Sequence, residues 1–367
     1  MAHLDEQGLQ AQIKQKQYDR LYYIYGAEDF LKKHYVSTLT RKLVQPDFEA
    51  FNSHTLEGRE VTLDAISDCV SSMPFMSEHT CTVVRDMPLN EYMPRPKNTK
   101  NAQGGDDGGE EDGQASSGKY EQLCELLEDI PESSVLIFWM DTVEPDPKSG
   151  TWIKVLKTFE KYGTVAELGQ RSRAALIKLL CDSAAKKGCT MDRDAAAYMI
   201  ERAGDDLGNL KNEIDKLCAY LNGKPVTKKA IDQSVIASLE ANIFSLSKAI
   251  CAGRADEAFD TLGTLFKLRE EPVKILAILS GSYVDMYRAK AALLSGVKNE
   301  ELISIYKSAY AKKEFLIRNA ASAAAKYSIE KLRTALELLG DADTAMKTTR
   351  ADGTLILERL VLELMRL

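Results

Sequence analysis

Tyr22-Tyr23-Ile24-Tyr25-Gly26-Ala27-Glu28-Asp29-Phe30-Leu31-Lys32-Lys33 is a short apolar run, one glycine and the opening of a helix. It reads as a strand turning into a helix, the local form of a phosphate loop. A working loop, G-x-x-x-x-G-K-[ST], needs its second glycine so that backbone N–H groups wrap the phosphates. Its lysine reaches the terminal phosphates and its hydroxyl holds Mg²⁺. Here Gly26 keeps the first position, Leu31 replaces the second glycine, Lys32 keeps the lysine and Lys33 replaces the hydroxyl. Glu28 and Asp29 stand where a phosphate tail would lie, and like charge opposes an anion there. The same two acids are also ordinary first-turn residues that complement a helix dipole. The expectation is a strand-turn-helix that has lost its nucleotide chemistry.

Outward from this stretch, strand and helix signals alternate through residue 168. Strands are expected at Leu21–Tyr25, Glu49–His54, Thr80–Arg85, Ser134–Met140 and Thr164–Leu168, with helices near 28–43, 62–72, 119–128 and 149–160. The fourth strand is a continuous apolar run, which suits a parallel strand covered on both faces. The segment 94–118, with Gly104-Gly105-Asp106-Asp107-Gly108-Gly109-Glu110-Glu111-Asp112-Gly113, has almost nothing apolar to bury and is expected to be a disordered acidic insert. After Gln170 the strand signals stop. Leu207, Leu210, Ile214, Leu217 and Leu221 recur at helical spacing behind Asp205-Asp206, a cap candidate, within a small three-helix unit that ends at Gly223-Lys224-Pro225. Everything beyond Ala241 reads as helix, including a long one opened by Pro272 and a last one with Leu357, Leu360, Val361 and Leu364 on one face. The expected class is α/β plus all-α, in three domains: 1–169, 170–226 and 227–367.

Composition excludes several function classes. At 367 residues, 44% apolar and 28% charged, the chain is globular, and no run of about 18 apolar residues suggests a membrane span. The start from Met1 to Arg20 is polar and mixed in charge, unlike a secretory leader. Seven scattered cysteines (69, 81, 124, 181, 189, 218 and 251) form no C-x-x-C pair, which points to thiols in a reducing cytoplasm. His3, His34, His54 and His79 have no ligand-like spacing, so neither a metal nor another cofactor is expected.

Between Gln103 and Gly118 there are five acids and no base, which leaves −2 of the net charge of −7 for the rest of the chain. From Met286 to Arg333 ten Lys/Arg face four Glu, and Arg288, Lys312, Lys313 and Arg318 are the candidate DNA-facing bases. Solvated helix faces account for the same excess equally well. A working nucleotide site would also need an acidic pair at the end of a neighbouring strand. Val83-Val84-Arg85-Asp86 offers one acid beside a base, and Asp141-Thr142 again one acid. From Asp141 to Val165 there are lysines but no arginine to act as a finger in a neighbour's site.

Together these features resemble the delta-subunit family of bacterial DNA polymerase III. The residues that carry the resemblance are Tyr22 through Leu31, Met73-Pro74-Phe75 and Cys81-Thr82-Val83-Val84-Arg85-Asp86. Further on they are Gly204-Asp205-Asp206-Leu207, Asn212-Glu213-Ile214-Asp215-Lys216-Leu217, Asp343-Thr344-Ala345-Met346-Lys347 and Leu357-Glu358-Arg359-Leu360. They span nearly the whole chain in order. Departures are the insert at 94–118 and an N-terminal extension before Tyr18.

The resemblance implies an AAA+-type fold without nucleotide, a small helical lid, and a helical collar that assembles with other clamp-loader subunits. It implies a cytoplasmic protein without enzymatic activity of its own, working within a DNA polymerase holoenzyme on primed DNA and opening the sliding clamp. It also points to Met73, Pro74 and Phe75 as the clamp-binding element. A helix stopped by Pro74 would present Met73 and Phe75 at its end as an apolar plug, whereas spacing alone also allows Phe75 to tuck under the sheet. Two other readings stay open: an active AAA+ ATPase with a divergent phosphate loop, and a helical DNA-binding or scaffold protein using 286–333.

Overall fold

The computed structural model describes residues 3–94, 111–143, 145–146, 148–306, 310 and 314–367. It divides into two compact units, Met1–Arg171 and Ser172–Leu367.

The first unit is built on a six-stranded sheet. Its strands are β1 (His3–Leu4), β2 (Leu21–Tyr25), β3 (Ser53–Glu57), β4 (Thr80–Arg85), β5 (Ser134–Trp139) and β6 (Thr164–Glu167), in the order β1-β6-β2-β5-β4-β3. Every pairing is parallel, with Tyr23 opposite both Phe138 and Val165. The connections between parallel strands carry α1 (Glu6–Lys14), α2 (Asp29–Leu43), α3 (Glu49–Asn52), α4 (Leu63–Val70), α5 (Glu111–Glu128) and α6 (Gly150–Tyr162). β2 and β5 are buried along their full length, as strands covered on both faces must be.

Side chains alternate across the sheet. Tyr23, Tyr25, Val84, Leu136 and Phe138 meet Ile66 and Val70 of α4, Leu123 and Leu127 of α5, and Trp152, Val155 and Phe159 of α6 in one core cluster. α2 buries Leu31, Tyr35, Val36, Leu39 and Leu43, and its Thr40 hydroxyl lies 3.7 Å from the Cys81 thiol of β4.

The architecture is the expected parallel α/β sheet unit followed by an all-helical part, with three local corrections. The second expected strand begins later: Glu49–Asn52 is a helical turn, and the strand runs from Ser53 to Glu57 at the polar, half-exposed sheet edge. The extension before Tyr18 belongs to the fold, supplying β1 and α1, with Leu9 and Ile13 buried. In the acidic insert, 95–110 lie outside the described residues, but 111–118 are helical and extend α5 toward its N-terminus.

The second unit is entirely helical in its named elements: α7 (Arg173–Lys186), α8 (Arg193–Ala203), α9 (Leu207–Leu221), α10 (Lys228–Ser234), α11 (Leu239–Cys251), α12 (Ala255–Lys267), α13 (Pro272–Leu294), α14 (Asn299–Ile305), α15 (Glu314–Ala324), α16 (Ile329–Thr348) and α17 (Gly353–Met365). Ser172, Asp192, Asp206, Thr227 and Ser238 each cap a helix by accepting the backbone N–H three residues on. In α9 the stripe Leu207, Leu210, Ile214 and Leu217 is buried, as its spacing predicts. From α11 onward one cluster surrounds α13, whose Ile275, Leu276, Leu279, Tyr283 and Met286 meet Leu332, Leu339, Leu357 and Leu360.

Candidate functional site

The site residues expected in the first unit fall in two places: the turn after β2 and the loop after α4.

At the turn the chain reverses against the end of β6. Gly26 has φ +124°, and a Cβ on it would lie 2.4 Å from the Leu168 carbonyl oxygen, so only glycine fits. The Glu28 N–H donates to that same carbonyl at 3.0 Å. Lys32 then lies on α2 with 1% of its side chain exposed; its Nζ reaches Asp29 Oδ1 at 3.0 Å and donates to the Asp141 carbonyl at 3.2 Å. In a working loop that ammonium would point at a phosphate. Here protein oxygens hold it. Lys33, mostly exposed, reaches Asp141 Oδ1 at 3.5 Å.

The acids at the strand ends give a further correction. Asp86 and Asp141, each read as solitary, are brought together because β4 and β5 are neighbours. The Asp86 carboxylate accepts the Asp141 N–H at 2.7 Å, the Thr142 N–H at 3.0 Å and the Thr142 hydroxyl at 2.9 Å. Asp141, nearly buried, pairs with Arg85, which also donates to Glu57 at 3.1 Å and lies 5.4 Å from the centroid of the Trp139 ring. Partial burial pushes the Asp86 carboxyl up, and the hydrogen bonds from Thr142, Asp141 and Val143 outweigh that, so its pKa lies below the ordinary carboxylate value. The acids, lysines and arginine form one internally matched network. Among the described residues no group of three or more His, Cys, Asp or Glu is arranged to hold a metal ion.

The second place is the loop from Ser71 to His79. α4 is capped by Thr62 and tied down by Ile66 and Val70, and the Ser134 hydroxyl donates to the Val70 carbonyl at 2.6 Å. The helix stops ahead of Pro74, whose ring disfavours helical geometry in the residue before it. Met73 is then 91% exposed and Phe75 53% exposed. Phe75 does not tuck under the sheet. Its ring leans on Phe51, with centroids 5.1 Å apart, and meets Phe48 edge-on at 5.9 Å.

Sequence reading singled out Met73, Pro74 and Phe75 and missed their neighbours Phe51, Met76 and Asn52. Phe51 and Met76 are 62% and 68% exposed, so the apolar surface is wider than the tripeptide. Asn52 is fully buried. The available signal was the Phe48/Phe51 spacing on one helical turn, which the strand assignment concealed.

Of the candidate DNA-facing bases, Lys312 and Lys313 lie outside the described residues, as does the Arg318 side chain. Arg288 donates to the Tyr310 hydroxyl at 2.9 Å, lies 3.7 Å from Asp285 and stacks 4.4 Å from the centroid of the Tyr306 ring. Lys290 and Lys298 border an open cavity of about 400 Å³ between α13 and α15. No single described helix is long and apolar enough to cross a membrane.

Residues 22–104 match the family model "DNA polymerase III, delta subunit", and residues 240–364 match "DNA polymerase III delta subunit, C-terminal domain", together more than half of the chain. DNA polymerase III subunit delta of Bacillus subtilis (strain 168) is 25% identical over 356 residues, covering 96% of this chain and 95% of that protein. A probable DNA polymerase III subunit delta of Aquifex aeolicus (strain VF5) is 23% identical over 198 residues, covering 53% of this chain and 55% of that protein. Among solved structures, the Bacillus subtilis DNA clamp loader delta protein superposes with a TM-score of 0.62 over 98% of this chain and 99% of that one, at 22% identity.

Proposed function

This chain belongs to the DNA polymerase III delta-subunit family, and from that premise we propose that, as a clamp-loader component, it binds and opens the sliding clamp without hydrolysing ATP itself. The observation that carries the reading is the exposure of Met73 and Phe75 on a loop whose backbone is already fixed. A contiguous exposed apolar patch marks an interaction site, and aromatic anchors of this kind dominate interface energetics. A partner opens a ring only by binding the open or strained form more tightly than the closed one. A plug held at the end of α4, with Pro74 stiffening it, is suited to that, since it enters a pocket without first paying to be ordered.

The matched network around Lys32 supports the second half of the proposal. A phosphate tail would have to displace Asp29 and the Asp141 carbonyl from Lys32 and approach two acids, with no hydroxyl at Lys33 to hold Mg²⁺. In this reading residues 170–226 are a lid without a nucleotide to close over. Residues 227–367 are the collar through which the chain joins other loader subunits in the cytoplasm and, with them, meets primed DNA. The test is a titration of the purified full-length protein against the purified sliding clamp in the absence of nucleotide. Saturable binding supports the proposal, and no binding at any accessible concentration refutes it.

A further inference from the structure

Ser71 to His79 lies between α4 and β4 and contains no strand or helix of its own. At Phe75 its backbone is held by one side chain from another segment. The Asn52 carboxamide, 23 residues away in the chain, accepts the Phe75 N–H at 2.6 Å and donates to the Phe75 carbonyl at 2.8 Å. It donates again to the Phe48 carbonyl at 3.1 Å. An asparagine has two N–H donors, and here both have carbonyl partners. A bracket on both backbone polar groups of one residue is the pattern a neighbouring strand would supply. It sets the path of the loop at Phe75, and Met76 immediately after it takes a left-handed conformation at φ +52°.

We infer that Asn52 is the positioning residue of the clamp-binding element, and that Phe51 beside it is a second aromatic contact of that element. The inference rests on the reading that Met73 and Phe75 face the clamp, and it goes beyond it by assigning roles to a segment outside that tripeptide. First, α3 delivers Asn52 inward and Phe51 outward on consecutive residues, so the latch and the exposed ring move as one piece. Second, the ring contact between Phe51 and Phe75 makes their exposed faces one surface, which a pocket taking Phe75 would cover along with Phe51. Asn52 therefore sets the fraction of molecules with a binding-ready loop, and apparent affinity scales with that fraction. Phe51 acts after contact, by adding covered area.

The two roles differ kinetically, and that separates them from a merely structural one. With the purified sliding clamp as probe, Asn52→Leu is expected to slow association about tenfold, because an unlatched loop is ready less often. It should also accelerate hydrogen exchange at the Phe75 amide without accelerating it in β4 or β5. Phe51→Ala, at an exposed side chain, is expected to weaken binding about tenfold through faster dissociation. Parental affinity in both variants, with Met73→Ala/Phe75→Ala still deficient, overturns this inference and leaves the underlying reading standing. Parental affinity in Met73→Ala/Phe75→Ala overturns the underlying reading itself. Should Asn52→Leu not fold, exchange in the parent protein decides the positioning role. A Phe75 amide protected before clamp is added supports the latch, and one protected only in the complex overturns it.

Discussion

Replacing Lys32 by methionine separates a filled nucleotide site from a working one. Methionine keeps the apolar stem in place, so the loss is confined to the ammonium and its partners. Asp29 has 67% of its side chain exposed and rehydrates at little cost, so the 3–5 kcal/mol typical of stranding a buried charge does not apply. The Asp141 carbonyl loses a donor, a penalty of about 1–3 kcal/mol. A cost near 2 kcal/mol in a unit of this size lowers its melting temperature by roughly 4–8 °C. The assay is thermal unfolding of parent and variant with and without Mg-ATP. The expected result is the same drop in both buffers and no effect of nucleotide on the parent. A functional site behaves in the opposite way. Nucleotide at a hundred times its Kd would stabilise the parent by about 2.7 kcal/mol, and the substitution would erase that gain. A saturable ATP-dependent rise in the parent that disappears in Lys32→Met, with the nucleotide-free melting temperature unchanged, refutes the reasoning.

Two further outcomes are expected. Asp86 has a depressed pKa in the folded chain, so the stability it contributes is present above its unfolded value of about 3.9 and is lost as the pH falls through the folded value. Asp86→Asn should therefore melt below the parent at pH 7, by a gap that narrows toward pH 3; a gap independent of pH would exclude the ionised network as its source. Truncation after Arg171, at the boundary between the two compact units, should leave a soluble fragment that binds the clamp but does not co-purify with other loader subunits. Retained assembly by that fragment would remove the collar from its assigned role.

What was legible in the sequence follows from how local each signal is. β2, β4 and β5 announce themselves as apolar runs, α9 by its leucine spacing and Asp206 cap, and the tight turn by Gly26. These depend on residues within a few positions of each other. β1 is two residues long and owes its place to pairing with β6, far along the chain, so no periodicity marks it. The Glu49–His54 assignment failed because Glu49-Ala50-Phe51-Asn52 is polar and aromatic in a pattern that an edge strand and a helical turn share. Lys32 reads in sequence as the lysine kept from a phosphate loop, and its engagement by the Asp141 carbonyl, 109 residues away, has no local signal. Asp86 and Asp141 were read separately because their meeting requires the strand order, which sequence spacing does not contain. The Asn52 bracket escaped notice for the same reason.

Clamp affinity paired with the melting temperature of Met73→Ala/Phe75→Ala tests most directly whether Met73 and Phe75 form an exposed plug for the sliding clamp. Covering a Phe-sized side chain stabilises by roughly 1.5–3 kcal/mol, and truncating an interface anchor often costs about 2 kcal/mol or more. At 1.4 kcal/mol per tenfold, clamp affinity should fall by a factor of about a hundred or more. The melting temperature should stay within about a degree or two of the parent, since surface substitutions usually change stability by no more than about 0.5 kcal/mol. A double variant that binds the clamp as the parent does, or one whose melting temperature collapses while its folded fraction binds normally, would contradict that role for Met73 and Phe75.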